Sequence, residues 1–330
     1  MVLGWGIIGP GRISDTAMAP GINASEDSYL QVVVSRDQGR AEAFAAKHHA
    51  ARALTSYEEM LADPKVDVVF IGTPNAQHAE QAIAALRAGK HLLCDKPLAV
   101  TVADAERVLQ VARETGRKLG LGFMTRHFPA SQEARRIIAS GAIGDVVLIQ
   151  CEMVGTANPP IGWRLDPRLA QAGVLNNIGV HGNDLVRFLV GSEVAEVQAM
   201  SDSGPDQWID LMMLTLLRLE NGTMAYLNFN HKVTDNQQDI HIYGTKGRIL
   251  GRSTSRPFMD GELRVKIGDQ ETVTPVSSRD AYAREIAAFN RAVLEDREPD
   301  ASGLDGLRSV QLTEAILKSA RDGVRVKLKY

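Results

Sequence analysis

The sequence predicts an α/β protein of two domains: an N-terminal Rossmann-type domain, a doubly wound parallel sheet over residues 1–122, and an α+β domain with a large, mainly antiparallel sheet over residues 123–330. Three observations predict it. The glycine-rich turn Gly9-Pro10-Gly11 directly follows the first apolar run. Up to about residue 120, apolar runs alternate with amphipathic stretches, as parallel strands joined by crossover helices require. Beyond Phe123, consecutive extended segments follow one another, with a hairpin signal at Asn221-Gly222. A chain of 330 residues also has the length for about two separate cores.

In the first half, strands are expected at Leu3–Ile8, Leu30–Ser35, Val66–Gly72, His91–Cys94 and Lys118–Phe123. Helix signals lie between them. Ser56-Tyr57-Glu58-Glu59 has capping-box spacing, Thr101 stands as an N-cap three residues before Asp104, and Gly89 and Gly116 occupy helix ends. In the second half, helices are expected over Ser131–Ala139, Asn177–Val190, Asp280–Leu294 and Asp305–Ala320. Strands are expected over Asp145–Met153, Val194–Ser201, Ile209–Leu219, Thr223–Asn230 and Ile240–Tyr243.

Composition narrows the function classes. A formal charge of -3, with 23% charged and 44% hydrophobic residues, gives no basic excess and argues against a nucleic-acid partner. Two cysteines, Cys94 and Cys151, supply no disulfide framework, read as buried thiols and fit a reducing compartment. No apolar run approaches membrane-spanning length and no basic leader precedes Val2–Ile8, so the expectation is a cytoplasmic protein without membrane association. The eight histidines lack metal-ligand spacing, so no metal is expected.

The strongest chemical signal is at the first strand-to-helix turn. Gly9 permits the tight turn and Gly11 lets backbone approach a pyrophosphate, while the helix that opens at Arg12 and Ile13 offers amide donors and a positive dipole. Ser14 stands where the fingerprint has its third glycine or alanine. The second strand ends Ser35-Arg36-Asp37, with Arg40 one helical turn on. An acid at this strand end binds the ribose 2'-hydroxyl of NAD, whereas hydroxyl and guanidinium groups suit the 2'-phosphate of NADP. Ser35, Arg36 and Arg40 therefore favour NADP. NAD is the alternative, with Asp37 as the ribose ligand one position late.

From Val66 onward the chain resembles the Gfo/Idh/MocA oxidoreductases. The residues that carry the likeness are Val68-Val69-Phe70-Ile71-Gly72-Thr73-Pro74-Asn75, His78, Ala88-Gly89-Lys90-His91 and Cys94-Asp95-Lys96-Pro97. It continues through Arg126 and Trp163-Arg164 to the run from Ala172 to Asp184. Asp95-Lys96-Pro97 replaces the family's Glu-Lys-Pro and keeps the lysine. The resemblance implies hydride transfer between NAD(P) and a carbon of a sugar, inositol or related polyol, with Lys96 and His181 handling the hydroxyl proton. It also implies that Thr73, Pro74, Asn75, His78, Asp95 and Lys96 belong to the cofactor end. His78 suits packing of the cofactor loop rather than chemistry.

The residue chemistry agrees. Lys96 follows a strand's carboxyl end, where ligands of open α/β sheets bind, and an ammonium there steadies developing alkoxide charge. His181 titrates near neutrality and suits a proton carrier. Which of the two is the acid/base stays open. On a regular helix Asn177, His181 and Asp184 share one face. Asn177 stands where most of the family has aspartate and cannot hold a negative charge. That leaves three alternatives: Lys96 carries more of the proton transfer, Asp184 orients His181, or the protein is slow or inactive. Asp184 could equally pair with Arg187.

The loop from Asn158 to Leu165 precedes that helix, and its Gly162-Trp163-Arg164-Leu165 is similar to a stretch in 1,5-anhydro-D-fructose reductases and related sugar enzymes. An indole suits sugar C–H groups and a guanidinium suits hydroxyls, so Trp163 and Arg164 join Arg126, Asn177 and Asp184 as candidate substrate ligands. A non-catalytic NAD(P)-binding sensor of the same fold is the rival to an enzyme. Met212, Leu214 and Leu216 alternate with Met213, Thr215 and Leu217, leaving apolar groups on both faces of one strand. A homodimer, or a homotetramer built from dimers, is therefore expected.

Overall fold

The computed structural model describes residues 2–155, 161–204, 209–234 and 238–330. The chain divides into two compact units, Met1–Phe123 with Tyr282–Val310 and Met124–Ala281 with Gln311–Tyr330.

The first unit is built on a parallel sheet of β1 (Leu3–Ile8), β2 (Ser28–Val34), β3 (Arg52–Leu54), β4 (Val68–Ile71), β5 (His91–Cys94) and β6 (Leu119–Leu121). They lie in the order β3-β2-β1-β4-β5-β6, which reverses direction beside β1, the switch point where open α/β sheets bind ligands. Every residue of β1 and β4 is buried, as strands covered on both faces must be. The crossovers carry α1 (Ala19–Ala24), α2 (Gln38–His48), α3 (Tyr57–Ala62), α4 (His78–Arg87) and α5 (Val102–Thr115). The expected caps are in place: Ser56 Oγ accepts from the Glu59 amide and Thr101 Oγ1 from that of Asp104, both at 3.1 Å. Gly116, at φ +65°, ends α5.

The second unit contains α6 (Pro129–Ala139), β7 (Val146–Val154), α7 (Pro167–Ala170), α8 (Val180–Val190), β8 (Val194–Ser201), β9 (Met212–Leu219) and β10 (Met224–Asn230). Then come β11 (Ile240–Gly244), β12 (Gly247–Arg252), β13 (Asp260–Ile267) and β14 (Gln270–Ser277). After α9 (Ala281–Leu294) and α10 (Gly303–Asp322), the short β15 (Val326–Lys327) returns to the sheet, whose order is β14-β13-β12-β11-β7-β10-β9-β8-β15. Its pairings are antiparallel except β7 with β10. Helices α6, α8 and the later part of α10 cover one face. Alternate residues Met213, Thr215 and Leu217 of β9 and Ala225, Leu227 and Phe229 of β10 are buried there.

The sequence places the helix over Asp280–Leu294 in the second domain, whereas most of it belongs to the first unit. Trp5 Nε1 donates to Asn290 Oδ1 at 3.1 Å, the Trp5 and Phe289 rings meet edge to face, and the Leu121 amide donates to the Ala301 carbonyl at 2.9 Å. A segment late in the chain thus closes the core beneath β1 and shields the β6 edge. Periodicity reveals that this helix is amphipathic but not which sheet receives its apolar face.

Candidate active site

In the first unit the site forms at the carboxyl ends of the strands. Gly9 has φ +86°, and a Cβ there would lie 2.8 Å from the Gly72 carbonyl oxygen. The turns after β1 and β4 therefore pass backbone to backbone, which only glycine permits. Ser14 locks the crossing: it is fully buried, and its Oγ donates to the Gly9 carbonyl at 2.7 Å. The Gly11 amide donates to the same oxygen at 2.7 Å. Helix follows at once from Arg12, which is exposed, and Ile13, which packs on the core. This cradle of bare backbone at a helix start fits a dinucleotide's pyrophosphate. Ser14 thus fills the third fingerprint position with a hydrogen bond instead of a missing side chain.

At the end of β2, buried Ser35 accepts through Oγ from the Asp37 amide at 3.3 Å. Asp37 caps α2, its Oδ1 accepting from the Arg40 amide at 2.7 Å. Arg36 is exposed, and the Arg40 guanidinium reaches back to donate to the Pro10 carbonyl at 2.9 Å. A hydroxyl and two guanidiniums therefore surround this strand end, while the nearby acid is engaged by a helix.

The turn after β4 holds Thr73, Pro74 and buried Asn75, and Thr73 Oγ1 donates to Gln81 Oε1 at 2.6 Å. His78 is fully buried, with Nδ1 2.7 Å from the Pro97 carbonyl and Nε2 2.9 Å from the Thr73 carbonyl. Its ring links this turn to the Asp95-Lys96-Pro97 turn and acts as a loop anchor. Asp95 Oδ1 accepts from the Lys96 amide at 2.9 Å, and Lys96 is half-buried.

In the second unit, a π-helical turn over Leu175–Gly179 runs into α8. Asp210, which sequence reasoning missed, holds its entry by accepting from the Gly173 and Leu175 amides at 2.6 and 2.8 Å. Burial pushes this carboxyl up to about 6, against those two hydrogen bonds. Gly179 and Gly182 lie on the Phe229 ring, where added Cβ atoms would come within 2.9 and 2.6 Å of it. His181 is buried on the same stretch.

The expectation that Asn177, His181 and Asp184 point at one ligand does not hold for Asp184. Both of its oxygens accept from Arg126, Oδ2 from Nε at 2.7 Å and Oδ1 from Nη2 at 2.6 Å, in a pair withdrawn from water; Arg187 approaches Oδ1 at 3.4 Å. Asn177 instead meets His231, Nδ2 to Nε2, at 3.1 Å. A regular-helix projection ignores both the π-helical turn and the partners that neighbouring elements bring. Arg126 and Asp184 therefore brace α8 against the turn after Phe123. Trp163 and Arg164 do meet: the guanidinium stacks 4.4 Å from the indole centroid, so one ring face is already covered. Asn158, Pro159 and Pro160 of that loop lie outside the described residues.

A dinucleotide cradle beside a lysine-bearing strand end is the construction of a nicotinamide-dependent oxidoreductase. The chain belongs to the Gfo/Idh/MocA family: residues 3–123 match its oxidoreductase, NAD-binding Rossmann model and residues 131–250 its C-terminal domain model. It is 31% identical over 328 residues to a 1,5-anhydro-D-fructose reductase of Ensifer adhaerens, covering 98% of each chain. Among solved structures it is similar to an aldose-aldose oxidoreductase from Caulobacter crescentus complexed with glycerol, at a TM-score of 0.91 and 27% identity over 99% of this chain and 100% of that one. A levoglucosan dehydrogenase complexed with NADH matches at a TM-score of 0.90 and 25% identity, both chains covered in full.

Glu285 is a further group with no sequence signal beyond its place on an amphipathic helix. It is 2% exposed, and neither carboxyl oxygen has a hydrogen-bond partner among the described residues. Burial, with the negative charge of Asp95, pushes its carboxyl well above the usual range. Below the ordinary value of 4.5 the folded and unfolded chains both carry this proton. As pH rises past that value the unfolded chain releases it while the fold retains it, so stability falls. Glu285→Gln is therefore expected to melt several degrees above the wild type at pH 8, with the gap closing near pH 4. Calorimetric scans across this range check it, and an unchanged gap would contradict a buried, protonated Glu285.

Proposed function

We propose that this oxidoreductase transfers a hydride between NADP and a hydroxyl-bearing carbon of a sugar, inositol or related polyol. The observation that carries this reading is the backbone cradle at Gly9 and Gly72, tied through His78 to the turn that presents Lys96. The named activities of the relatives support the sugar-like substrate class. Gly9, Gly11, Arg12 and Ile13 would hold the pyrophosphate, and Thr73, Pro74, Asn75 and Asp95 would border the rest of the cofactor. Bound nicotinamide supplies or accepts the hydride.

The chain's own residues manage the other half of the reaction. An alcohol carbon that gives up a hydride must also lose its hydroxyl proton, and a carbonyl that is reduced must gain one. Lys96 and His181 carry that proton, and the Lys96 ammonium lowers the energy of alkoxide character on the substrate oxygen. Arg164, stacked on Trp163, offers donors to substrate hydroxyls, and Asn177 offers an uncharged amide. Lys96→Ala and His181→Ala are each expected to lower turnover about a hundredfold or more, in line with loss of acid-base or electrostatic assistance. The assay is 340 nm absorbance over a panel of aldoses, ketoses and inositols, and full turnover in both variants would remove these roles.

NADP is preferred over NAD because Asp37 already caps α2 while Ser35, Arg36 and Arg40 frame the strand end. Ser35→Asp puts a carboxylate where the 2'-phosphate would sit. NADP binding should weaken by about 2–4 kcal/mol through repulsion and a lost hydrogen bond, while NAD binding changes much less. Titration calorimetry with both nucleotides checks it; a wild type that binds NAD at least as tightly as NADP would make Asp37 the ribose ligand.

We also propose a homodimer, or a homotetramer of dimers, joined through the outer face of the second unit's sheet. Met200 pairs with Leu214, Leu216 with Tyr226 and Met224 with Leu148 on this face, and Met200 and Leu216 are 73% and 49% exposed. Apolar surface arrayed across neighbouring strands favours a covering partner. Light scattering at micromolar concentration should show a multiple of the chain mass, and a stable monomer would refute it.

A further inference from the structure

The loop after β10 carries His231, and its surroundings fix the ring in detail. The His231 amide donates to the Leu211 carbonyl at 2.8 Å. Next to it, Asn230 Oδ1 accepts from the Lys232 and Val233 amides at 3.0 and 2.9 Å, holding the turn. Gly155 follows β7, the parallel neighbour of β10, and its amide donates to the Asn230 carbonyl at 2.9 Å. A Cβ on Gly155 would stand 2.7 Å from His231 Cε1 and 2.8 Å from Nδ1. The ring thus lies against bare backbone, and a larger residue at 155 would displace it.

Hydrogen-bond polarity follows from the partners. His231 Nδ1 is 2.7 Å from the Gly155 carbonyl oxygen, which can only accept, so Nδ1 bears the hydrogen. Burial, helped by the charge of Arg256, lowers the ring's basicity and so favours the neutral form, against the opposing effect of the Gly155 hydrogen bond. Nε2 then presents a lone pair, and Asn177 Nδ2 meets it as donor at 3.1 Å.

We propose that His231 is a positioning residue for substrate binding: its ring, donor at Nδ1 and acceptor at Nε2, holds the Asn177 amide nitrogen and thereby fixes the orientation of this uncharged side chain at the substrate site. The proposal rests on the function proposed above, in which Asn177 belongs to the sugar site. A carboxylate at 177 would confront the Nε2 lone pair unless the ring took up a second proton, whereas an amide matches the neutral ring. Asn177 and His231 are thus a matched pair drawn from two distant parts of the chain.

The test combines one readout without substrate and one with it. Imidazole nitrogen NMR of the full-length protein at pH 7 should show His231 protonated at Nδ1 and bare at Nε2; an Nε2-protonated ring, neutral or cationic, overturns the proposal. His231→Phe, with its fold checked by circular dichroism, should raise KM for the best sugar of the panel about tenfold, with a smaller effect on kcat. His231→Gln keeps an acceptor near the Nε2 position and should recover most of that loss. A KM in His231→Phe equal to the wild type's overturns the proposal as well. A wild type that turns over no sugar defeats the function proposed above, and the tautomer, read without substrate, still decides whether His231 orients Asn177.

Discussion

The close passage of two strand-end turns, at Gly9 and Gly72, is the constraint on which the nucleotide end depends. Nothing but hydrogen fits between the Gly9 Cα and the Gly72 carbonyl, so neither turn can drift without closing the cradle. Ser14 fastens the crossing from the helix side, and Arg40 fastens it from the neighbouring strand end through the Pro10 carbonyl. A surface of amide groups suited to a phosphate needs this rigidity, because its donors must already face a ligand when it arrives.

A comparable logic orders the second unit around α8. Asp210 accepts two amides at the helix entry, glycines let the helix settle on Phe229, and the buried Arg126–Asp184 pair holds the other side. A buried ion pair is poor evidence of net stabilisation, because desolvating two charges offsets much of their attraction. Its stronger consequence is orientation: a bidentate guanidinium–carboxylate contact admits few geometries. His181 and Asn177 are presented from a stretch whose rotation is set in this way. Glu285, buried with no hydrogen-bond partner for its carboxyl among the described residues, lies outside these networks.

Much of the fold was legible along the chain because the sequence states local preferences openly. The β1 and β5 boundaries follow directly from apolar runs, and the caps at Ser56 and Thr101 from side chains that compete for orphan amides. The short edge strand β3 and the hairpin of β13 and β14 were not foreseen. β3 has three residues and no fully buried one, and β14 is exposed along most of its length, so neither announces itself, although Leu263, Val265 and Ile267 of β13 do alternate with charged residues. The candidate site was legible where a local motif marks a residue for a proposed role, as at Gly9, Ser35 and Lys96. It was illegible where a partner arrives from far along the chain, as Asp210, His231 and Glu285 do.

By itself the sequence determined the α/β fold with its parallel and mainly antiparallel sheets, the NAD(P)-binding Rossmann domain and the family. All of these depend on spacing within a few residues, or on a pattern repeated along one strand or helix. Tertiary structure alone decided that Asp184 belongs to Arg126, that Asn177 belongs to His231 and that Trp5 anchors Asn290. It also decided that Asp37 caps a helix, although its partner is only three residues away, because that choice turns on where its side chain points. Side-chain partners depend on packing in three dimensions, and a periodic projection along one element carries no information about what the neighbouring element will bring.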